Sequence, residues 1–297
     1  MRIDRDASVW LMRHVYGRRK EPQTSLPILM YHSVSNAMEH GVNAYYRVVT
    51  PPERFREQMA WLKEAGYDAV DLPSAASLID RPQARTTPTV CLTFDDGFLD
   101  FAIEAWPVLR EHGFGATVFL PTGYIGNGRQ SFKGRQCLTW AEVRELKTQG
   151  CDFGSHTVSH PVLHGLSWDR IREELRASKV AIEQEVSEPI STFAYPYAYP
   201  QEDRSFTGRL RDELREAGYD WVVTTVVGSA RPDHDRLALP RLPVNGEDDR
   251  SLLMSKVGGA YEWVGDVQRG ARQVRRLVRV TNAAAAAVRA LGRRRYR

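Results

Sequence analysis

The feature that most constrains this chain is an apolar run, Thr89-Val90-Cys91-Leu92, leading straight into Thr93-Phe94-Asp95-Asp96-Gly97. A short apolar run closed by a turn signal reads as a buried strand. It delivers two adjacent carboxylates to the strand end, where burial and mutual repulsion disfavour both charges. A cation relieves that cost. The pair therefore predicts a metal held by one aspartate and proton chemistry at the other. Taken alone, the segment also fits an Asp-Asp-Gly turn leaving a strand.

Sixty residues on lies Ser155-His156-Thr157-Val158-Ser159-His160-Pro161. His156 and His160 are four apart, so one turn of backbone brings both imidazoles to one side. Two imidazoles and a carboxylate suit zinc or a similar divalent ion, and three protein ligands leave coordination positions open for chemistry. A solitary His-x-x-x-His pair is more often structural. The strand-end aspartates are what turn it into a ligand set.

Around these motifs, short apolar runs alternate with helical patterns. Strands are expected at 28–31, 89–94, 116–120, 152–155, 192–195 and 221–225, with helices near 52–65, 100–112, 140–149, 168–186 and 207–217. Thr139-x-x-Glu142 is a capping box for the third helix. Repeated βα units of this length predict a parallel barrel, whose chemistry gathers at the C-terminal ends of its strands. His32, the two aspartates, His156 and Tyr197 all follow an expected strand. The glycine-rich stretch 123–128 opens no helix and reads as a mobile loop beside the mouth.

Thr-Phe-Asp-Asp-Gly followed by His-Thr-x-x-His resembles the polysaccharide deacetylases, the NodB-homology group of carbohydrate esterases. The resemblance covers roughly residues 26–250. It is supported by Pro27-Ile28-Leu29-Met30-Tyr31-His32, Phe55-Arg56-Glu57-Gln58-Met59, Phe193-Ala194-Tyr195-Pro196-Tyr197 and Leu239-Pro240-Arg241. These segments look most similar to the branch acting on poly-N-acetylglucosamine. The resemblance implies an α/β fold, a distorted (β/α)7 barrel. It also implies a divalent metal, Zn2+ with Co2+ or Ni2+ as alternatives, on Asp96, His156 and His160, with Asp95 as general base and the Tyr197 backbone N–H as oxyanion donor.

One departure stands at Ala194, where many relatives carry an arginine that orients the base. Arg241 is the expected replacement, from a later strand end. His32 is the expected general acid, with His164 and His234 as rivals. Tyr195, Tyr199, Trp221 and Leu239 are expected to line a sugar or acetyl pocket. The implied activity is removal of N-acetyl groups from N-acetylhexosamine units of a bacterial polysaccharide or lipid-linked precursor. O-acetyl ester cleavage at the same site, or glycan binding without catalysis, are the alternatives.

At 297 residues, 42% hydrophobic and 26% charged, the composition is that of an ordinary globular protein. No stretch reaches the eighteen or so apolar residues of a membrane span. Met1-Arg2-Ile3-Asp4-Arg5-Asp6 lacks the apolar core of a secretory signal, and three scattered cysteines make no disulfide framework. These features predict a cytoplasmic protein. The charge is uneven: residues 267–297 hold ten arginines and no acid, so a chain of net charge +4 carries −6 elsewhere. Three regions are expected: a basic segment at 1–25, the barrel at 26–250 and a helical Arg-rich tail at 251–297. A basic amphipathic tail suits the anionic inner face of a membrane, and a solvated helix with its apolar side on the barrel is the alternative. Nucleic acid is disfavoured because no aromatic residues accompany the arginines.

Overall fold

The computed structural model of the protein describes residues 3–12 and 25–267. Eight parallel strands make the main sheet: β1 Ile28–Tyr31, β2 Asp68–Val70, β3 Thr89–Phe94, β4 Thr117–Leu120, β5 Asp152–Ser155, β6 Thr192–Ala194, β7 Trp221–Val227 and β8 Leu239–Pro243. Seven of them close a ring in the order β1-β3-β4-β5-β6-β7-β8, with β8 pairing back onto β1. β2 is the extra strand. It lies along the first half of β3, with Asp68 opposite Thr89 and Val70 opposite Cys91, and β4 takes over at Thr93 and Phe94. The fold is a (β/α)7 barrel, distorted where β2 and β4 share β3.

Seven helices accompany the strands: α1 Pro52–Glu64, α2 Leu72–Asp80, α3 Trp106–His112, α4 Trp140–Thr148, α5 Trp168–Val186, α6 Arg204–Glu216 and α7 Arg250–Val257. α1 starts with proline at its first position, where the missing N–H costs nothing, and buries Phe55, Met59 and Leu62 on one face. The Thr139–Glu142 capping box opens α4 as expected. β2, β8 and α2 are additions to the sequence pattern, and α7 opens the region expected to be helical. β2 has only three residues, too few for a period to register.

Side-chain alternation divides the core in two. Ile28, Cys91, Phe119, Ala194, Val223 and Leu239 join Leu72, Ala75, Ala76 and Ile79 of α2 in one cluster. Leu29, Leu92, Val118, Phe193, Val222 and Leu242 belong to a larger cluster beneath the other helices. The first set is the barrel's filling. Full burial of each large aliphatic residue is worth about 1.5–3 kcal/mol. An apolar floor thus closes the N-terminal end and leaves the C-terminal end to polar groups.

The described part of the N-terminal segment is tied to chain beyond the barrel. Arg5 donates to Asp249 from Nε (2.8 Å) and Nη2 (2.5 Å), Tyr261 donates to Asp4 (2.7 Å) and Trp263 to Ser8 (2.9 Å). α7 adds the fully buried Leu252 and Leu253 to the core. The arginine-rich stretch from residue 268 onward, and the membrane expectation placed on it, lie outside the described residues. Among the described residues no helix is long and apolar enough to cross a membrane, and Cys91, Cys137 and Cys151 are free and buried.

One partly buried acid belongs to the floor. Thr117 of β4 accepts from the Leu72 N–H of α2 (2.8 Å) and donates to Asp152 of β5 (2.8 Å). Burial pushes the Asp152 carboxyl up to about 6, against the Thr117 hydrogen bond and with help from Asp71. The folded protein therefore holds this proton more tightly than the unfolded chain does. Its stabilising contribution is complete below about pH 4 and is lost as pH rises through about 6. Asp152→Asn, which cannot ionise, is expected to gain roughly 1–3 kcal/mol over the wild type at pH 8 and nothing at pH 4. Urea unfolding at the two pH values measures this, and equal midpoints at pH 8 would refute it.

Candidate metal and catalytic centre

Asp95 is the last residue of its strand's ladder: its N–H donates to Tyr31 of β1 (3.0 Å). The backbone then turns left-handed, with φ 72° at Asp96 and 59° at Gly97. At Gly97 a Cβ would also stand 2.9 Å from Leu120 Cδ2, so a larger residue is excluded twice over. At the end of β5, His156 N–H donates to Leu120 (2.9 Å), and the chain turns left-handed at Thr157 (φ 69°) and His160 (φ 53°). Glu174 of α5, fully buried, holds this loop. Its Oε2 accepts from Val158 N–H and Ser159 N–H (both 2.8 Å), and its Oε1 accepts from Ser159 Oγ (2.6 Å).

These turns bring Asp96, His156 and His160 together, with one ligand atom from each within 4.8 Å of the others. Asp96 Oδ1 lies 3.3 Å from His160 Nε2 and 3.7 Å from His156 Nε2, yet it is buried and accepts no hydrogen bond. His156 Nδ1 is 2.7 Å from the Ala194 carbonyl. With the proton placed on Nδ1, the Nε2 lone pair is left facing Asp96. Burial, against the pull of Asp95 and Asp96, lowers His156 to about 3, so its imidazole is neutral at pH 7. Burial alone would raise Asp96, but His160 beside it and the neighbouring His32, His156 and Lys133 hold it well below the usual carboxylate range. A set of two ring nitrogens and one carboxylate, with an orphaned carboxylate oxygen, fits a borderline divalent ion.

Asp95 faces a different partner. Arg241, fully buried in β8, forks onto both its oxygens at 2.7 Å. Arg241 Nε donates to the Thr224 carbonyl (3.0 Å) and Nη1 to Thr93 Oγ1 (3.1 Å), so the guanidinium cannot swing away. Burial works to raise Asp95, but Arg241, with His156 adding to it, outweighs that and holds the carboxyl at about 2. His32 Nε2 lies 3.9 Å from Asp95 Oδ2 and retains a partly open side. Burial lowers the His32 pKa, against the pull of Asp95 and Asp96.

A buried ionised acid is thus clamped beside a three-residue ligand set at the top of a parallel barrel. The sequence profile of the polysaccharide deacetylases matches residues 83–222. YxkH of Bacillus subtilis, assigned to the same group, is 29% identical over 244 residues, 81% of this chain and 76% of its own. The chain resembles the polysaccharide deacetylases in sequence and in fold. The poly-β-1,6-N-acetyl-D-glucosamine N-deacetylase of Staphylococcus aureus is 23% identical over 70% of this chain and 72% of its own. Among solved structures, Streptococcus pyogenes deacetylase PplD in complex with acetate aligns at TM-score 0.66 and 26% identity, covering 78% of this chain and 98% of that one. IcaB of Ammonifex degensii has the same fold, at TM-score 0.68 and 23% identity over 80% of this chain and 98% of its own. The proteins it resembles are hydrolases of the deacetylase class.

The remaining residues singled out in sequence are spread through the barrel. Tyr197 (φ 58°) stands beside the ligand set, its ring 4.6 Å from that of His160 and its carbonyl accepting from Thr225 (2.9 Å). Tyr195 and Tyr199 are buried against each other with rings 5.0 Å apart. Trp221 and Leu239 begin β7 and β8 and pack into the apolar floor, at the opposite end of the barrel from the ligand set. His164 pairs with Asp203 at 3.1 Å on the surface. The glycine stretch is no mobile loop. Thr122 and Gly123 donate to Thr157 and Val158 (3.0 and 2.8 Å), and a Cβ on Gly123 would stand 2.8 Å from the Val158 carbonyl oxygen. Close approach to the histidine loop is what this glycine serves.

Sequence reasoning passed over Glu174, although its signal is visible: an acid on the same helical face as the buried Ile171, Leu175, Ser178 and Ile182. Glu174→Ala leaves two backbone N–H groups of the histidine loop unpaired. It is expected to cost about 2–4 kcal/mol in chemical denaturation. Glu174→Gln, which keeps one acceptor, is expected to lose less. Equal stability of Glu174→Ala and wild type would remove the glutamate from this role.

Proposed function

We propose that this protein removes N-acetyl groups from N-acetylhexosamine units of a bacterial glycan, with a divalent metal, zinc by preference, on Asp96, His156 and His160. The observation that carries the reading is the buried Asp95 carboxylate, ionised and forked by Arg241, directly beside that three-residue set. The likeness to a poly-β-1,6-N-acetyl-D-glucosamine N-deacetylase and to a deacetylase that binds acetate supports the substrate class.

A divalent ion bound there would lower the pKa of water from about 15.7 toward about 7 and polarise the acetyl carbonyl. The chain's own groups do the rest. Asp95 accepts a proton from the attacking water as the new C–O bond forms. Each of its oxygens gives one acceptor site to Arg241 and keeps another free. Arg241 fixes the carboxylate's plane and keeps it ionised. The Tyr197 N–H donates to the oxyanion that develops on the former carbonyl oxygen. His32 Nε2, partly open to solvent, gives a proton to the nitrogen as the C–N bond breaks, releasing acetate and a free amine.

Acetate release from poly-β-1,6-linked N-acetylglucosamine oligomers tests the reading. Chelation is expected to abolish release, and readdition of zinc, cobalt or nickel to restore it. Asp95→Asn is expected to lower kcat about 10²–10⁴-fold while metal affinity stays within a few-fold of wild type. Full activity after verified metal removal would overturn the metal-dependent reading. His32→Gln is expected to lower kcat and to flatten the alkaline limb of the pH–rate profile. An unchanged alkaline limb dismisses His32 as the proton donor.

A further inference from the structure

The hairpin that roofs the ligand set has an unusual residue at its tip. Ser131–Phe132 and Arg135–Gln136 pair antiparallel, leaving Lys133-Gly134 as a two-residue turn with φ 50° and 76°. Positive φ at both positions is the type I′ geometry, which favours asparagine, aspartate or glycine first. A lysine there is strained. Such strain persists only where the surroundings over-determine it, and it concentrates at functional sites.

What surrounds Lys133 is the ligand set. Its Nζ donates to Asp96 Oδ2 at 3.2 Å, while Oδ1 of the same carboxylate faces the two imidazoles. The ammonium lies 4.5 Å from the Phe132 ring and 5.3 Å from the Tyr197 ring, between two aromatic faces. Phe132 in turn packs on His160, with ring centroids 5.1 Å apart. The hairpin is stitched down rather than loose: Leu138 N–H donates to Gly97 (2.9 Å), Cys137 N–H to Gln130 (2.9 Å), and Arg135 stands 5.5 Å over Phe98. Lys133 is delivered to Asp96 by a fixed scaffold.

The geometry points to Lys133 as a positioning residue of the metal centre, which occupies one oxygen of Asp96 so that the carboxylate ligates through the other alone. This rests on the metal reading above. A one-oxygen aspartate leaves more of the ion's coordination sphere for water and the acetyl carbonyl. The cost is affinity, because a fixed ammonium beside the ligand repels a dication and draws on the same negative charge. The role of Lys133 is to hold the site at moderate affinity with open positions.

Lys133→Met keeps the side chain's length, its Cβ and the strain of the turn, and removes only the charge and the donor. Lys133→Arg keeps both. Zinc and cobalt affinities of the wild type and both variants are measured at pH 7.5 by competition with a chromophoric chelator, with thermal unfolding of the metal-free proteins alongside. Lys133→Met is expected to bind about tenfold or more tightly and to release metal more slowly to excess chelator, while Lys133→Arg stays near wild type. Unchanged or weaker binding by Lys133→Met overturns the inference, and a melting shift without an affinity change assigns Lys133 to hairpin stability alone. Failure of the wild type to bind either ion overturns the metal reading itself, and the inference with it.

Discussion

Two neighbouring carboxylates, both almost wholly buried, set the terms for the rest of this molecule. Each would lose its charge to desolvation and to the other without compensation. The compensation differs in kind. Asp95 receives a guanidinium that cannot deprotonate, locked by four hydrogen bonds inside β8. Asp96 receives two imidazoles and an ammonium at the tip of a hairpin. One acid is permanently paired and stays ionised. The other is surrounded by groups that face one oxygen with ring nitrogens and hold the second oxygen with an ammonium. A breach of the Arg241 pair would leave a bare buried charge, which costs about 3–5 kcal/mol in comparable cases.

The barrel makes that arrangement affordable by separating its two ends. α2 fills the N-terminal end with Leu72, Ala75, Ala76 and Ile79 against the first inward residues of the strands. The charged layer sits directly on this floor, with Phe119 5.9 Å below Arg241 and 6.5 Å from His156. No water need reach Arg241 from beneath. In that low-dielectric setting the fork onto Asp95 is stronger than it would be at a surface. The helices outside contribute position: α5 carries Glu174 to the histidine loop, and the 122–123 segment braces the same loop from the other side.

What could be read from sequence follows from what sequence encodes locally. The motif aspartates and histidines were legible because each pair lies within five residues and follows an apolar run. Arg241 was legible only through an absence, the alanine at 194, and the structure places its guanidinium on Asp95 from 146 residues away. Trp221 and Leu239 were assigned to a sugar pocket on residue type, whereas their position at strand starts sends them into the floor. β2 and α2 escaped notice because a three-residue strand has no period and a short apolar helix looks like a loop. Lys133 was illegible because nothing local marks it: a surface-type residue in a Phe-Lys-Gly turn acquires meaning only when the hairpin folds over Asp96.

Backbone strain supplies the last link between motif and geometry. Among the described residues, six non-glycine residues have positive φ, and five of them, Asp96, Lys133, Thr157, His160 and Tyr197, belong to this centre. The cause at Asp96 is geometric. Consecutive residues of a strand point to opposite faces, so two adjacent aspartates cannot both enter the barrel mouth while the chain stays extended. A left-handed residue immediately after Asp95 turns the second carboxylate back beside the first. The histidine loop meets the same demand, since Thr157 must reverse the chain if His160 is to face His156. Each such residue costs on the order of 1–3 kcal/mol, and Thr157, being β-branched, stands at the expensive end. The hydrogen bonds accepted by Glu174 and donated by Gly123 and Thr225 are concentrated on these turns because that is where the chain would otherwise relax.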